Sequence, residues 1–133
     1  MTIAYATEDY LGADEYIDVV RKSGLNRPVE DRGRVERMLA HANLILTARQ
    51  DGRLVGFARS LTDFCFCCYL SDLAVDKACQ GQGIGKRLIE ETRTAAGGAL
   101  TTTLLLSAPT AMTYYQGIKM PQADNCFLYR RER

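Results

Sequence analysis

Residues 80–85 read QGQGIG, between YLSDLAVDKAC at 69–79 and KRLIEETRTAA at 86–96. Three glycines alternate with bulkier residues where an apolar run gives way to a helical pattern. A plain turn needs only one or two glycines, so three at alternate positions indicate that something approaches the main chain closely. A strand, a glycine-rich turn and a helix start form a phosphate site, because free N–H groups and the helix dipole face an anion there.

Two familiar phosphate-binding motifs do not fit this stretch. A Walker A loop needs G-x-x-x-x-G-K-[ST], but Gln80 stands where its first glycine belongs and Lys86 is not followed by Ser or Thr. The dinucleotide fingerprint G-x-G-x-x-G also fails, since after Gly81 and Gly83 its third glycine falls on Lys86. Both motifs are excluded by spacing.

A third pattern, Q/R-x-x-G-x-G/A, is met by Gln80, Gly83 and Gly85. Here the sequence resembles the GCN5-related N-acetyltransferase (GNAT) superfamily, whose signature loop binds the pyrophosphate of coenzyme A. LAV at 73–75 precedes the motif by the usual gap, and APTAMTYYQGIKM at 108–120 is similar to the family's later A-x-x-x-Y-Y segment. The resemblance extends over nearly the whole chain. It implies acetyl transfer from acetyl-CoA to an amine, with no metal.

The resemblance also implies where acetyl-CoA binds. In the family the strand matching LSDLAV (70–75) splays away from the strand matching TLLLSA (103–108), and the pantetheine arm pairs with exposed main chain in the gap. The glycines leave room for the phosphates, and Lys86 and Arg87 either add charge there or form a solvated helical turn. The residues expected to bind acetyl-CoA are Leu73, Ala74, Val75, Gln80, Gly81, Gln82, Gly83, Ile84, Gly85 and Lys86.

The catalytic residue implied by the resemblance is Tyr115, which matches a tyrosine near the acetyl-CoA sulfur in many members. A phenol can protonate the departing thiolate without carrying charge beforehand. The alternative role of Tyr115 is packing under the last strands, and Tyr114 is predicted to be a core residue. Two positions depart from the family pattern: Ala108 replaces a common Asn, and Lys119–Met120 replaces Gly-Phe.

The general base is left open by the sequence. Asp72 lies in the strand beside the expected gap, and Asp63 and Glu30 are further candidates. Each is also typical of an ordinary surface or hairpin-end acid. His41 is the only histidine and stands in a charged helical segment. A water chain could deprotonate the substrate instead.

Composition excludes several classes of protein. The 133 residues fit one domain, 1–133, of ordinary globular composition. Lys and Arg number 17 against 16 acids, a balance that argues against nucleic-acid or polybasic membrane binding. No apolar run approaches a transmembrane helix, and the first residues lack a signal-peptide pattern. We therefore expect a cytoplasmic protein.

The five cysteines favour the same compartment. They form an odd set, with three packed into FCFCCY at 64–69. Cys65 and Cys68 have C-x-x-C spacing, but no second pair is present to complete a zinc site. We expect buried, metal-free thiols in a reducing compartment, namely Cys65, Cys67, Cys68, Cys79 and Cys126.

Hydrophobic periodicity predicts an α/β fold with the element order β-α-α-β-β-β-α-β-α-β. The first strand is TIAYA (2–6), and helices follow in 9–24 and 29–42. Two strands, 43–50 and 53–63, flank a hairpin turn at Asp51–Gly52. The remaining predicted elements are a doubly buried strand 64–75, a helix 83–98, a strand 100–108, a short helix 109–116 and a final strand NCFLYRR (125–131). The resulting sheet is mixed and mostly antiparallel.

The predicted function is acetylation of an amine on a small molecule or peptide by direct attack on acetyl-CoA. A non-catalytic acyl-CoA sensor and a nucleotide-phosphate binder remain alternatives. The segments 22–31 and 59–64 are expected to choose the substrate, but their mixed charges favour no substrate charge. An edge strand at 125–131 predicts a homodimer through residues 120–131, as in many family members.

Overall fold

The computed structural model describes residues 2–133 and contains five strands and four α-helices. The strands are β1 Ile3–Thr7, β2 Leu44–Gln50, β3 Arg53–Thr62, β4 Cys67–Val75 and β5 Thr102–Leu104. The helices are α1 Ala13–Ser23, α2 Arg32–His41, α3 Ile84–Ala95 and α4 Met112–Gly117. Nearly every predicted element is present within a few residues of its expected bounds.

The five strands form one sheet in the order β1-β2-β3-β4-β5. The first four pair antiparallel, and β5 pairs parallel to β4 after the α3 crossover. The predicted turn between β2 and β3 is confirmed, because Gln50 pairs with Arg53 and both Asp51 and Gly52 have positive φ, 50° and 80°. Such a two-residue turn matches the right-handed twist of the strands. The prediction of a mixed, mostly antiparallel sheet is confirmed.

Helices cover both faces of the sheet. On one face α1 and α2 bury Tyr16, Val19 and Val35 against Phe57 of β3. On the other face α3 buries Ile84, Leu88 and Ile89 against a core that includes Val55. The 3.6-residue spacing of apolar side chains in each helix creates these two cores.

A bulge in β4 opens the sheet at one end. Arg59 pairs with Asp72 and Ser60 pairs with Leu70, so Ser71 has no partner in β3. Beyond the bulge no strand within residues 2–133 pairs with the other side of β4, since β5 pairs with Cys67–Tyr69. A bulge bends a strand and increases its twist. The two parallel strands therefore separate, as the predicted gap requires.

Two predicted strands are shorter than expected. Strand β5 covers three residues rather than 100–108, and β4 begins at Cys67 because 64–66 form a turn. In this turn a carboxylate oxygen of Asp63 accepts N–H bonds from Cys65, Phe66 and Cys67, at 2.8 to 3.0 Å. These hydrogen bonds satisfy the backbone N–H groups in a turn, in place of the hydrogen bonds between strands of a sheet.

The prediction of a final strand at 125–131 is wrong. Residues 121–133 are exposed and belong to no helix or strand. Alternating side chains give a segment the pattern of a strand, but a strand forms only beside another strand. No strand among residues 2–133 accepts this segment.

The expectation of buried cysteines holds for only two of the five. Cys68 and Cys79 are buried, whereas Cys65, Cys67 and Cys126 are exposed. Cys65 lies in the turn at 64–66 and Cys126 among the C-terminal residues, whereas Cys67 begins β4 on the exposed side of its alternating burial pattern. The described residues contain no group of three His, Cys, Asp or Glu that could hold a metal ion. No helix within 2–133 has the length and apolar character to cross a membrane.

Candidate active site

A cavity of about 740 Å³ lies where β4 and β5 separate. Four segments surround it: the end of β4, the glycine-rich loop, the loop after α1, and α4 with its preceding turn. All the residues predicted to bind acetyl-CoA line it except Gln82, and Tyr115 lines it too. The other lining residues are Ser23, Gly24, Leu25, Asn26, Cys79, Ala108, Pro109, Thr110, Ala111, Tyr114 and Ile118.

The glycine-rich loop presents a row of free backbone donors. No acceptor among residues 2–133 takes a hydrogen bond from the N–H groups of residues 81–86. Gly81 and Gly83 have φ of 82° and 80°, and a Cβ on either would meet nothing within 4 Å. Gly83 also precedes the first turn of α3, at the positive end of the helix dipole. Six free donors at a helix start suit a ligand with several anionic oxygens.

Gly85 lines the cavity and is also required for the packing of α4. Its Cβ would overlap the hydroxyl of Tyr114, so a glycine is needed for α4 to pack closely on α3. The space above Gly85 is thus filled by protein. Tyr114 is half-exposed and lines the cavity, so the prediction that it is a core residue is wrong.

The free edge of β4 presents the main-chain groups of Leu73 and Val75. The N–H of Asp76 donates to Val55 O at 2.8 Å, so the main-chain groups of Asp76, and of Ala74 two residues before it, point toward β3. Since groups alternate along an antiparallel pair, those of Leu73 and Val75 point away from β3. Beyond the bulge no strand of the described chain pairs with this edge.

Two side chains cap the ends of this free edge. Arg27 Nη2 donates to Ser71 O at 2.6 Å, and Gln80 Nε2 donates to Val75 O at 3.0 Å. Between these caps Leu73 lies at the cavity with its main chain free. The free main-chain groups between the two caps can pair with an extended chain that carries amide groups.

Tyr115 lies on the wall of the cavity, half-buried. Its ring packs edge-on against Tyr114, with centroids 5.2 Å apart and planes at 77°. Burial, and to a smaller extent Tyr114, raises the pKa of the phenol, whereas the positive charge of Arg27 opposes this rise. The phenol of Tyr115 is therefore protonated at neutral pH and can donate a proton.

The two basic residues after the loop differ in orientation. Lys86 lines the cavity. Arg87 instead pairs with Glu91 at 2.7 Å, and its guanidinium lies 4.6 Å from the centre of the Tyr5 ring. Only the lysine is placed to add positive charge to the loop.

Asp72 is buried in an ion-pair cluster. Its two carboxylate oxygens accept bonds from Arg27 Nε and Arg59 Nε, both at 2.6 Å, and from Tyr16 Oη at 2.7 Å. Burial alone would raise the pKa of Asp72, but the hydrogen bond and charge of Arg59 and the charge of Arg27 bring it below its usual value. A carboxylate held in this way is a poor proton acceptor, so Asp72 is not a suitable general base.

The other candidate bases also lie away from the cavity. Asp63 closes the turn before β4, and hydrogen bonds from the N–H groups of that turn, Cys67 first, hold its pKa well below the usual range. Glu30 is exposed and lies 3.4 Å from Arg21, and His41 is exposed at the end of α2. No Asp, Glu or His is among the described residues that line the cavity.

The loop after α1 lies within the segment 22–31 that the sequence indicates for substrate choice, but the ion pairs that hold this loop in place were not predicted. Asn26 and Leu25 line the cavity, and Arg27 ties the same loop to the bulge in β4. The gap between the predicted helices 9–24 and 29–42 indicated a loop here, but no local pattern could pair Arg27 with a carboxylate 45 residues away.

Comparison with solved structures shows several proteins of the same fold. An acetyltransferase of the GNAT family from Streptococcus pneumoniae TIGR4 superposes with a TM-score of 0.75 at 19% identity, covering 98% of this chain and 100% of that one. Ribosomal-protein-alanine N-acetyltransferase from Brucella melitensis gives 0.69 at 20% identity, with 98% and 99% covered. Aminoglycoside N-acetyltransferase AAC(6')-Iy in complex with CoA gives 0.70 at 15% identity, with 99% and 96% covered.

Comparison with family models gives a direct match. No curated protein sequence matches the chain. The model of the acetyltransferase (GNAT) domain matches residues 21–118, which include the glycine-rich loop and both tyrosines of α4. The chain therefore belongs to the GNAT family of acetyl-CoA-dependent N-acetyltransferases.

Proposed function

We propose that the chain transfers an acetyl group from acetyl-CoA directly to a primary amine of a small molecule or peptide. The row of free N–H groups at 81–86 carries this proposal, because it faces the same cavity as Tyr115. A phosphate site and a proton donor in one cleft suit a substrate with a diphosphate at one end and a thioester at the other.

The loop residues Gln80, Gly81, Gln82, Gly83, Ile84 and Gly85, with Lys86, would hold the diphosphate. Charge-assisted bonds from backbone N–H groups to phosphate oxygens are about twice as strong as neutral ones. The pantetheine amides would pair with Leu73 and Val75 across Ala74, at the free edge of β4. This arrangement directs the thioester toward Tyr115.

Tyr115 is the proposed general acid. The amine nitrogen attacks the thioester carbonyl carbon, the C–S bond breaks, and the thiolate takes the phenolic proton. The attacking amine loses its own proton to water, because no acidic or imidazole side chain of the described residues lines the cavity. That proton balances the one the phenolate later regains from solvent.

The proposed acceptor site is the part of the cavity beside Leu25 and Asn26. No acidic side chain lies there among the lining residues, so the pocket favours no polycationic amine. Two of the three relatives named above are, by name, an aminoglycoside N-acetyltransferase and a ribosomal-protein-alanine N-acetyltransferase, so both small molecules and peptides belong in a first panel of acceptors.

The test is an acetyl-transfer assay that follows free thiol release with a panel of amines. The parent should release thiol faster with at least one amine than with buffer alone, and the Tyr115→Phe variant should not. A protein that binds acetyl-CoA with unchanged affinity but turns over no amine would be the sensor alternative. Binding of ATP as tightly as acetyl-CoA, measured by thermal shift, would favour the nucleotide-phosphate alternative.

The remaining parts of the proposal concern context. Residues 1–133 act as one domain, and the transfer needs no metal. The five free thiols favour a reducing, cytoplasmic setting. Nucleic acid and membranes are not proposed partners, whereas a second copy of the chain is, through residues 120–131.

A further inference from the structure

Two arginines share one buried carboxylate beside the cavity. Arg27 and Arg59 each bond to Asp72 at 2.6 Å, and no other Asp or Glu within residues 2–133 pairs with either guanidinium. The third partner of the carboxylate, Tyr16, stays a neutral phenol because burial raises its pKa. One positive charge of this cluster is therefore uncompensated. A buried charge without a counter-ion is costly, so such a charge beside a cavity is a candidate site for an anionic ligand.

The uncompensated charge is most accessible at Arg27. Its side chain is 23% exposed, whereas that of Arg59 is 7% exposed. The Nε, Nη1 and Nη2 atoms of this side chain each donate one hydrogen bond, to Asp72, Asn26 O and Ser71 O. These bonds leave two of the guanidinium's five N–H groups without an acceptor among the described residues. Free N–H groups on a partly exposed guanidinium suit a carboxylate.

Arg27 lies at the end of the cavity where the thioester would be. A cofactor whose diphosphate is held at 81–86, and whose amides pair with the free edge of β4, extends along this edge toward Ser71. Arg27 Nη2 bonds to the main-chain oxygen of Ser71 at 2.6 Å. Burial raises the pKa of the Tyr115 phenol, and the charge of Arg27 opposes this rise, so the guanidinium lies near the proposed general acid. The positive charge is therefore beside the reacting groups.

Asn26 adds a second donor at the same place. It lines the cavity, and its only hydrogen bond within residues 2–133 is made by its main-chain oxygen, so its side-chain amide is free. The two acids of the same loop are engaged elsewhere, because Glu30 pairs with Arg21 and Asp31 caps α2. No acidic side chain of the described residues lines the cavity to repel an anion.

We propose that the acceptor is an amine that carries a carboxylate, such as an amino acid, and that Asn26 and the Arg27 guanidinium hold this carboxylate beside the thioester. The inference rests on the proposed acetyl transfer and names its substrate class. A site built to pair with one group of a substrate rejects an analogue that lacks the group, because its own polar groups are then left unpaired. A hydrogen-bonded charge pair of this kind corresponds to a preference of about 10- to 100-fold.

A panel of matched amines tests the acceptor class. Glycine, β-alanine and γ-aminobutyrate are each compared with their own carboxamide in the thiol-release assay. The best of the three amino acids should exceed its carboxamide by about 10- to 100-fold in kcat/KM. Equal kcat/KM for both members of every pair would overturn the proposal, while acetyl transfer itself would stand.

Arg27→Gln separates charge recognition from a role in holding the loop. The variant loses the charge but keeps a side-chain amide that can bond to Ser71 O. It should raise KM for the amino acid by about 10- to 100-fold and leave KM for the carboxamide and for acetyl-CoA unchanged. A role only in holding the loop would change both amines alike, and that result would overturn the proposal. The control Arg21→Gln removes an exposed arginine of α1 outside the cavity and should keep the parent's preference.

Binding without transfer distinguishes failure of this proposal from failure of the proposed function. In protein saturated with CoA, which carries no acetyl group, the three amino acids are titrated while the NMR signal of the Arg27 Nε–H is followed. At least one amino acid should shift this signal in a saturable way, and its carboxamide should not. A shift without thiol release would refute acetyl transfer but support the carboxylate site. Absence of any shift would overturn the site whatever the transfer assay shows, and this measurement on the parent decides if circular dichroism shows Arg27→Gln unfolded.

Discussion

Gly83→Ala is a sharp test of the glycine-rich loop because Gly52 offers a matched control. Both glycines have φ of 80°, and a Cβ on either would meet nothing within 4 Å. Gly83 stands at the start of α3 beside the free donors, whereas Gly52 stands in the β2–β3 hairpin turn. The two variants therefore carry the same backbone strain but only one carries a methyl group at the cavity.

The expected costs follow from these positions. A left-handed conformation costs an L-residue about 1–2 kcal/mol, so both variants should lose roughly 3–8 °C in Tm. A methyl at Gly83 also pushes phosphate off about two N–H donors, and each such bond to a charged group contributes about 1.5–3 kcal/mol. The Kd for acetyl-CoA should rise by about 100-fold or more.

Isothermal titration calorimetry and thermal unfolding measure the two effects separately. Gly52→Ala should bind acetyl-CoA as the parent does, at a reduced Tm. The reasoning would be refuted if Gly83→Ala kept the parent affinity. It would also be refuted if Gly52→Ala lost affinity to the same extent, because the loss would then come from general destabilisation.

Three further changes address the remaining parts of the site. Tyr115→Phe should lower kcat by about 10²- to 10⁴-fold with acetyl-CoA affinity unchanged. The control variant Tyr114→Phe should not lower kcat. Equal effects on kcat would mean that both tyrosines serve only in packing. The raised pKa keeps the Tyr115 phenol protonated, so the parent kcat should show no fall from phenol ionisation below about pH 10. Asp72→Asn should lower the free energy of unfolding, measured in urea, by about 3–5 kcal/mol because it leaves Arg59 buried without its counter-ion. A fall in kcat with unchanged stability would instead indicate that Asp72 is the general base. The pKa of Asp72 is lower in the folded than in the unfolded protein, so the stability that its carboxylate contributes is complete above the unfolded pKa of about 3.9 and is lost as pH falls below it. In Asp72→Asn the free energy of unfolding should therefore change less with pH in this acidic range. Gly85→Ala should displace α4 and lower both stability and kcat, because the new Cβ would overlap the hydroxyl of Tyr114. Adding Tyr114→Ala should restore stability. A double variant that recovers no stability would mean that the contact with Tyr114 does not cause the loss.

Local signals in the sequence predicted most of the framework. The Asp51–Gly52 turn was predictable because few dipeptides accept positive φ at both positions. The loop at 80–85 was predictable because its glycine spacing and the helix that follows are contiguous in the chain. The crossover from β4 through α3 to β5 follows from the order of apolar segments.

Features that depend on distant partners were not predictable. The segment 125–131 has the pattern of a strand, but strand formation requires a neighbour that no local pattern reveals. The place of Tyr114 against Gly85 depends on how α4 packs on α3. The cluster of Arg27, Asp72 and Arg59 joins three separate parts of the chain, so the role of Asp72 as an ion-pair partner became visible only in the fold.

Backbone amide NMR during titration with acetyl-CoA can show whether the N–H groups of residues 81–86 hold the diphosphate. We expect these amide signals to shift together and to saturate at one acetyl-CoA per chain, while the amide signal of Gly52 stays unshifted. Saturable binding that shifts other amide signals but leaves those of residues 81–86 unshifted would mean that this loop does not hold the diphosphate.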